Sequence, residues 1–154
     1  MNFEISTEEF KRFQTLIYDE SGISLNDQKQ GLVSTRLSKR LRELKLSTFS
    51  EYHDHVTRDP SREEFTMMLD LISTNKTDFF REPQHFDFLC KEILPQLESE
   101  KKIRIWSSAC STGEEPYTIA MTLHDGVSDV TQWDCKILAS DLSTRVLAKA
   151  AAGV

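Results

Sequence analysis

The chain has 154 residues and a formal net charge of −6, with 38% hydrophobic and 29% charged residues, enough apolar content to build cores in one or two small soluble domains. Its apolar runs are far shorter than the roughly 20 residues that cross a bilayer, and MNFEISTEEF lacks the basic and apolar start of a signal sequence, so neither membrane insertion nor export is expected. Cys90, Cys110 and Cys135 are odd in number and lack CxxC spacing, which predicts reduced thiols in a cytoplasmic compartment rather than a disulfide framework.

From Ser6 to about Thr74 the apolar residues recur at helical spacing with little sign of strands. Helices are predicted at about 7–21, 27–45, 48–58 and 61–73, followed by a fifth at 83–98, with ends uncertain by roughly 2–4 residues. Ser6-Thr7-Glu8-Glu9 and Ser61-Arg62-Glu63-Glu64 both fit a capping box, and Gly22 and Pro60 serve as stops. In the second helix Val33, Leu37, Leu41 and Leu44 form one stripe. Lys29, Arg36, Lys39, Arg40, Arg42 and Lys45 give it six positive charges against Glu43. Such a helix is either an ordinary solvated face or a docking surface for an acidic protein helix. Nucleic acid is disfavoured, because the overall pI is low and no aromatic stacking platform is interleaved with the basic residues.

His53 and His55 form an HxH pair without further ligands, and no metal is assigned to it. The segment Ser73 to Pro83 is polar, then doubly aromatic at Phe79-Phe80, then charged. It is either a plain linker anchored by its phenylalanines or one wall of a cleft.

IRIWSSACSTGEEPY, from Ile103 to Tyr117, reads as a buried strand, a sharp turn at Ser111 to Gly113, and a helix beginning near Glu114. That is the geometry of a crevice at the carboxyl edge of an open α/β sheet. A pyrophosphate-binding turn wants several glycines and no negative charge, whereas this turn has Gly113 alone and two glutamates. Glu114 and Glu115 either complement the helix dipole or face a ligand bearing a cation, which favours S-adenosylmethionine over NAD or ATP. Cys110 lies in the turn, but no basic partner is assigned to it, and it reads as a packed thiol. A second strand at Cys135 to Ala139 ends in Ser140-Asp141, before a helix over about 144–152 with Ser143 as N-cap. Asp141 either supports this turn or accepts hydrogen bonds from ribose hydroxyls. Its separation from Gly113, 28 residues, is somewhat longer than the about 20 usual for that role.

STNKTDFFREPQHF, WSSACSTGEEPYTIAM and ILASDLSTRVLAKAAAGV, in this order and spacing, resemble the CheR family of chemotaxis receptor methyltransferases. The resemblance covers the whole chain. It implies an N-terminal all-helical domain (1–74), a cofactor-lining junction (75–82) and a Rossmann-like S-adenosylmethionine-dependent methyltransferase domain (83–154), ending after its second strand–helix unit. It further implies a protein-glutamate O-methyltransferase that esterifies glutamates on the cytoplasmic methylation helices of chemoreceptors, leaving S-adenosylhomocysteine, in bacterial chemotaxis adaptation. By motif position Asn75, Thr77, Arg81, Glu115 and Asp141 match the cofactor-contacting residues, and Arg81 the arginine beside the transferred methyl. The basic helix, through Arg36, Lys39, Arg40 and Arg42, matches the receptor-facing surface.

Members of the family continue with further strands, adenine contacts, a tyrosine near the reacting centre and a small β-subdomain. Two strands alone leave edges and an apolar face uncovered. The expectation is therefore a fragment of a longer enzyme, or a chain that completes its sheet by self-association. A non-catalytic module that binds receptor helices or S-adenosylhomocysteine is the alternative.

Overall fold

The computed structural model describes residues 3–153, which divide into two compact units, one up to Ser73 and the other from Thr74. The first unit is four helices: α1 (Thr7–Ser21), α2 (Gln30–Glu43, led in by a 3₁₀ turn over Asp27–Lys29), α3 (Phe49–Arg58) and α4 (Glu63–Ile72). Ser6 and Glu9 close the predicted capping box on α1, and Gly22 ends it in the left-handed conformation, the arrangement that satisfies the free groups at each helix end. A second box forms between Thr48 and Glu51, where none is predicted. The box predicted at Ser61 does not form. Arg62 precedes α4 at φ 62 with no side-chain cap, and Asp59 Oδ2 takes the Glu64 amide instead at 2.9 Å. Asp59 directly follows the end of the expected preceding helix, so its reach into the next one depends on how the loop folds.

The stripe on α2 holds: Val33, Leu37 and Leu41 are fully buried, against Phe10, Phe13, Ile17, Tyr52 and Met68 of the neighbouring helices. Fully burying each such side chain contributes about 1.5–3 kcal/mol. Phe13 is the aromatic hub of this core, edge-on to Phe49 and stacked at 6.1 Å on Tyr52.

The second unit opens with α5 (Pro83–Phe88), which widens into a π-turn over Leu89–Ile93 before α6 (Leu94–Leu97). A single helix is predicted here. Pro95 explains the difference, because its ring lacks an N–H and crowds the carbonyl four residues back. Widening the preceding turn relieves this, and Leu94 N bonds Leu89 O five residues away. Strand β1 (Lys102–Ser107) leads through a turn into α7 (Glu114–Gly126), and β2 (Asp134–Ala139) leads into α8 (Thr144–Ala152). The strands are parallel and in register from Lys102↔Asp134 to Ser107↔Ala139, which a βαβ crossover requires.

Strand alternation decides the faces. Ile103 and Ile105 join Cys135 and Ile137 in a core with Ile119, Leu123, Leu94 and Trp133. On the opposite face Trp106 and Leu138, register partners, remain 65% and 62% exposed. Arg104 forms an ion pair with Asp134 on the same side. A parallel sheet is usually covered on both faces, so among the described residues one face of this sheet has no cover.

Candidate cofactor site

At the carboxyl ends of β1 and β2 the chain builds a cavity of about 920 Å³, within the range of about 300–1,000 Å³ typical of small-molecule sites. Its polar wall contains Asn75, Thr77 and Arg81 from the segment before α5, with Glu115 from α7 and Asp141 from the end of β2. Phe86, Leu89, Ile93 and Ile119 give the apolar remainder. The five expected cofactor residues thus surround one space in the second unit.

The turn after β1 is held by backbone and carboxylate together. Ser140 N donates to Ser107 O at 3.0 Å and Cys110 N donates to Ser140 O at 2.9 Å, which extends the two strands into facing loops. Asp141 then bridges them: Oδ2 accepts from Ser111 N and Oδ1 from Ser143 N, both at 2.9 Å. Both readings of Asp141 left open by the sequence have a geometric basis. Two backbone bonds leave part of the roughly four lone-pair sites of a carboxylate for a ligand, and Asp141 lines the cavity while it ties the turn. Gly113 is the hinge into α7 at φ 105. A Cβ there would lie 3.1 Å from both Ala150 Cα and Cβ, so the approach of α8 to this turn as well as the backbone angle requires glycine.

The two glutamates of the turn part company. Glu114 Oε2 accepts from Thr112 Oγ1 at 2.6 Å and stays with the turn. Glu115 lines the cavity, and Ser107 Oγ, buried at the end of β1, donates to its Oε1 at 2.6 Å. Ser107 was not singled out from sequence, although strand alternation from Ile103 and Ile105 puts it on the inward face.

The segment before α5 is strained. Phe80 and Glu82, on either side of Arg81, have φ of 54 and 57, and a non-glycine residue in the left-handed region costs about 1–2 kcal/mol. Such strain persists only where surrounding contacts over-determine it. Arg81 Nη1 donates to Lys76 O at 3.0 Å, closing the loop on itself, and Ser111 Oγ donates to Asn75 O at 2.8 Å. Asn75 Nδ2 is buried and meets no acceptor among the described residues. Leaving a buried donor unpaired costs about 1–3 kcal/mol, so this wall suits a ligand that brings an acceptor. Carboxylates at Glu115 and Asp141, a guanidinium at Arg81 and an amide donor at Asn75 fit a zwitterionic nucleoside such as S-adenosylmethionine. No group of three or more His, Cys, Asp or Glu able to hold a metal ion occurs among the described residues.

Cys110 is buried, and its thiol is pushed up first by burial and then by the nearby charges of Asp141 and Glu115. Little thiolate is therefore present at neutral pH. In iodoacetamide labelling followed by mass spectrometry, Cys110 in the native protein is expected to react at less than about a tenth of its rate in urea. Equal rates would show an accessible, activated thiol.

The four expected receptor-facing residues lie in the first unit and have different surroundings. Arg36 Nη1 donates to the carbonyls of Ile72 and Ser73, at 2.7 and 2.8 Å, and so caps the end of α4. Arg40 grips Glu64 with two bonds, Nε to Oε1 at 2.9 Å and Nη2 to Oε2 at 2.6 Å. Lys39, 74% exposed, and Arg42 face solvent. In the HxH pair, His53 Nδ1 accepts from Arg12 Nη2 at 2.9 Å, because a guanidinium can only donate.

A parallel strand pair with a glycine-hinged, acidic turn at its carboxyl edge, and an aspartate after the second strand, is the ligand-facing arrangement of a nucleoside-binding α/β fold. Residues 8–73 match the family model described as CheR methyltransferase, all-alpha domain, and residues 75–154 match CheR methyltransferase, SAM binding domain. The chain belongs to the CheR methyltransferase family. It is similar to chemotaxis protein methyltransferase 2 of Pseudomonas aeruginosa (42% identical, over 99% of this chain and 53% of that protein). It is likewise similar to the chemotaxis protein methyltransferases of Borreliella burgdorferi (39%, 100% and 57%) and Escherichia coli (40%, 97% and 51%). The chain therefore spans about half the length of the curated relatives it matches. Among the described residues no helix is long and apolar enough to cross a membrane.

Proposed function

We propose that this chain carries the cofactor-binding part of a protein-glutamate O-methyltransferase that uses S-adenosylmethionine to esterify chemoreceptor glutamates in the cytoplasm. The observation that carries this reading is the convergence of Asn75, Thr77, Arg81, Glu115 and Asp141 on one cavity. When bound, S-adenosylmethionine supplies a methyl group activated by its sulfonium. Asp141 accepts hydrogen bonds from the ribose hydroxyls, and Glu115, oriented by Ser107, faces the cationic part of the ligand. Arg81 orients the incoming glutamate carboxylate. That carboxylate is already ionised at neutral pH, so no general base is needed. The contribution of the protein is alignment and exclusion of water.

The receptor surface is proposed on α2. Lys39 and Arg42 project the charge that steers an acidic helix, while Arg36 and Arg40 set the shape of the unit that presents them.

Calorimetry with S-adenosylhomocysteine should give one saturable site on this chain. Methyl transfer to receptor-containing membranes should follow from radiolabelled S-adenosylmethionine. Receptor binding without transfer would favour a docking module instead, and absence of heat with S-adenosylhomocysteine would overturn the cofactor assignment.

A further inference from the structure

The loop that carries Arg81 is pinned to the turn and helix opposite it by two buried hydroxyls. Ser111 holds its start, through Asn75 O. Its far end is held by Thr118, which is fully buried on α7, one turn beyond Glu114 and Glu115. Thr118 Oγ1 donates to Glu114 O at 2.6 Å, and this leaves its lone pairs facing the Phe80 amide, which donates to it at 3.2 Å.

Phe80 is the first of the two left-handed residues around Arg81. Among the described residues its amide has no other hydrogen bond, so the hydroxyl of Thr118 is the polar contact that fixes this backbone angle from outside the loop. The Phe80 ring is half exposed and lies edge-on to Phe86 at 6.0 Å, so its side chain is only partly held by packing. The geometry thus links the loop wall of the cavity directly to the helix that presents Glu115.

We infer that Thr118 is a positioning residue, which latches the strained Phe80–Glu82 turn to α7 and so sets the distance between Arg81 and Glu115 across the cavity. The inference rests on the cofactor reading above for its effect on affinity, but the latch has a readout of its own. Valine has nearly the shape of threonine and lacks the hydroxyl; serine keeps the hydroxyl.

In Thr118→Val, hydrogen exchange at the Phe80 amide should accelerate at least about tenfold, a change a purely packing role would not produce. Its affinity for S-adenosylhomocysteine should fall about tenfold by calorimetry. Thr118→Ser should restore both to near wild type. Unchanged Phe80 exchange in the valine variant would overturn the latch. So would wild-type affinity in that variant, or a serine variant as impaired as the valine. If the wild type itself gave no heat, the cofactor reading and the affinity effect would fall together, and Phe80 exchange would still decide the latch.

Discussion

Arg40→Ala is expected to destabilise the helical unit by about 3 kcal/mol, the range for removing one partner of a buried, hydrogen-bonded ion pair. Arg40 and Glu64 are 22% and 8% exposed, and the Tyr52 hydroxyl adds a third bond to the same carboxylate at 2.9 Å. Without the guanidinium, Glu64 and the buried Tyr52 hydroxyl share a pocket with no compensating charge. Trp106 and Trp133 both lie outside this unit. Urea unfolding followed by far-ultraviolet circular dichroism should therefore shift, while the tryptophan fluorescence transition shifts less. Lys39→Ala and Arg42→Ala, at exposed positions, should each stay within about 0.5 kcal/mol of wild type. A wild-type circular dichroism transition in Arg40→Ala would return Arg40 to the free receptor-facing charges.

The same pair gives the unit an acid limit. Burial pushes the Glu64 carboxyl up, but the bonds from Arg40 and Tyr52 outweigh it and hold the group below its ordinary range. A carboxyl depressed in the folded state stabilises fully above its unfolded value of about 4.3, and this contribution disappears as pH falls through the lower folded value. The helical transition of the wild type should lose stability over that window, and Arg40→Ala should show less of this dependence.

Asp141→Ala should weaken S-adenosylhomocysteine binding about a hundredfold. A hydrogen bond to a charged group contributes about 1.5–3 kcal/mol, and each 1.4 kcal/mol is about tenfold in affinity. The variant also frees Ser111 N and Ser143 N, so an affinity loss alone would not separate ligand contact from turn support. A ligand lacking the ribose 2′-hydroxyl makes the separation. The wild type should bind this analogue more weakly than S-adenosylhomocysteine, whereas Asp141→Ala should bind the two alike. If the variant lost the same factor for both ligands, Asp141 would be a turn residue only.

The chemistry-bearing motifs were legible because each is local. Ser6 with Glu9, the strand–turn–helix around Gly113, and Ser143 at the head of α8 are settled within a few residues by capping, backbone angle and alternation. Periodicity also identified the buried stripe on α2. It did not reveal that Arg36 and Arg40 on the same helix are committed elsewhere, since their partners Ile72, Ser73 and Glu64 are 24 to 37 residues away. Charge counted along a helix does not distinguish a guanidinium in water from one in an ion pair. The π-turn before Pro95 was hidden for a different reason: a proline announces a disturbance, and the packing around it selects the form.

From the sequence alone came two units of different class, the order of strands and helices, the acidic character of the turn and the family resemblance. These depend on side-chain pattern and spacing, which survive any arrangement in space. Tertiary structure decided that Asp141 bridges two loops, and which distant groups the hydroxyls of Ser107, Ser111 and Thr118 meet. A hydroxyl has no sequence signature for its partner, because its hydrogen bond forms only when the fold brings distant backbone within about 3 Å.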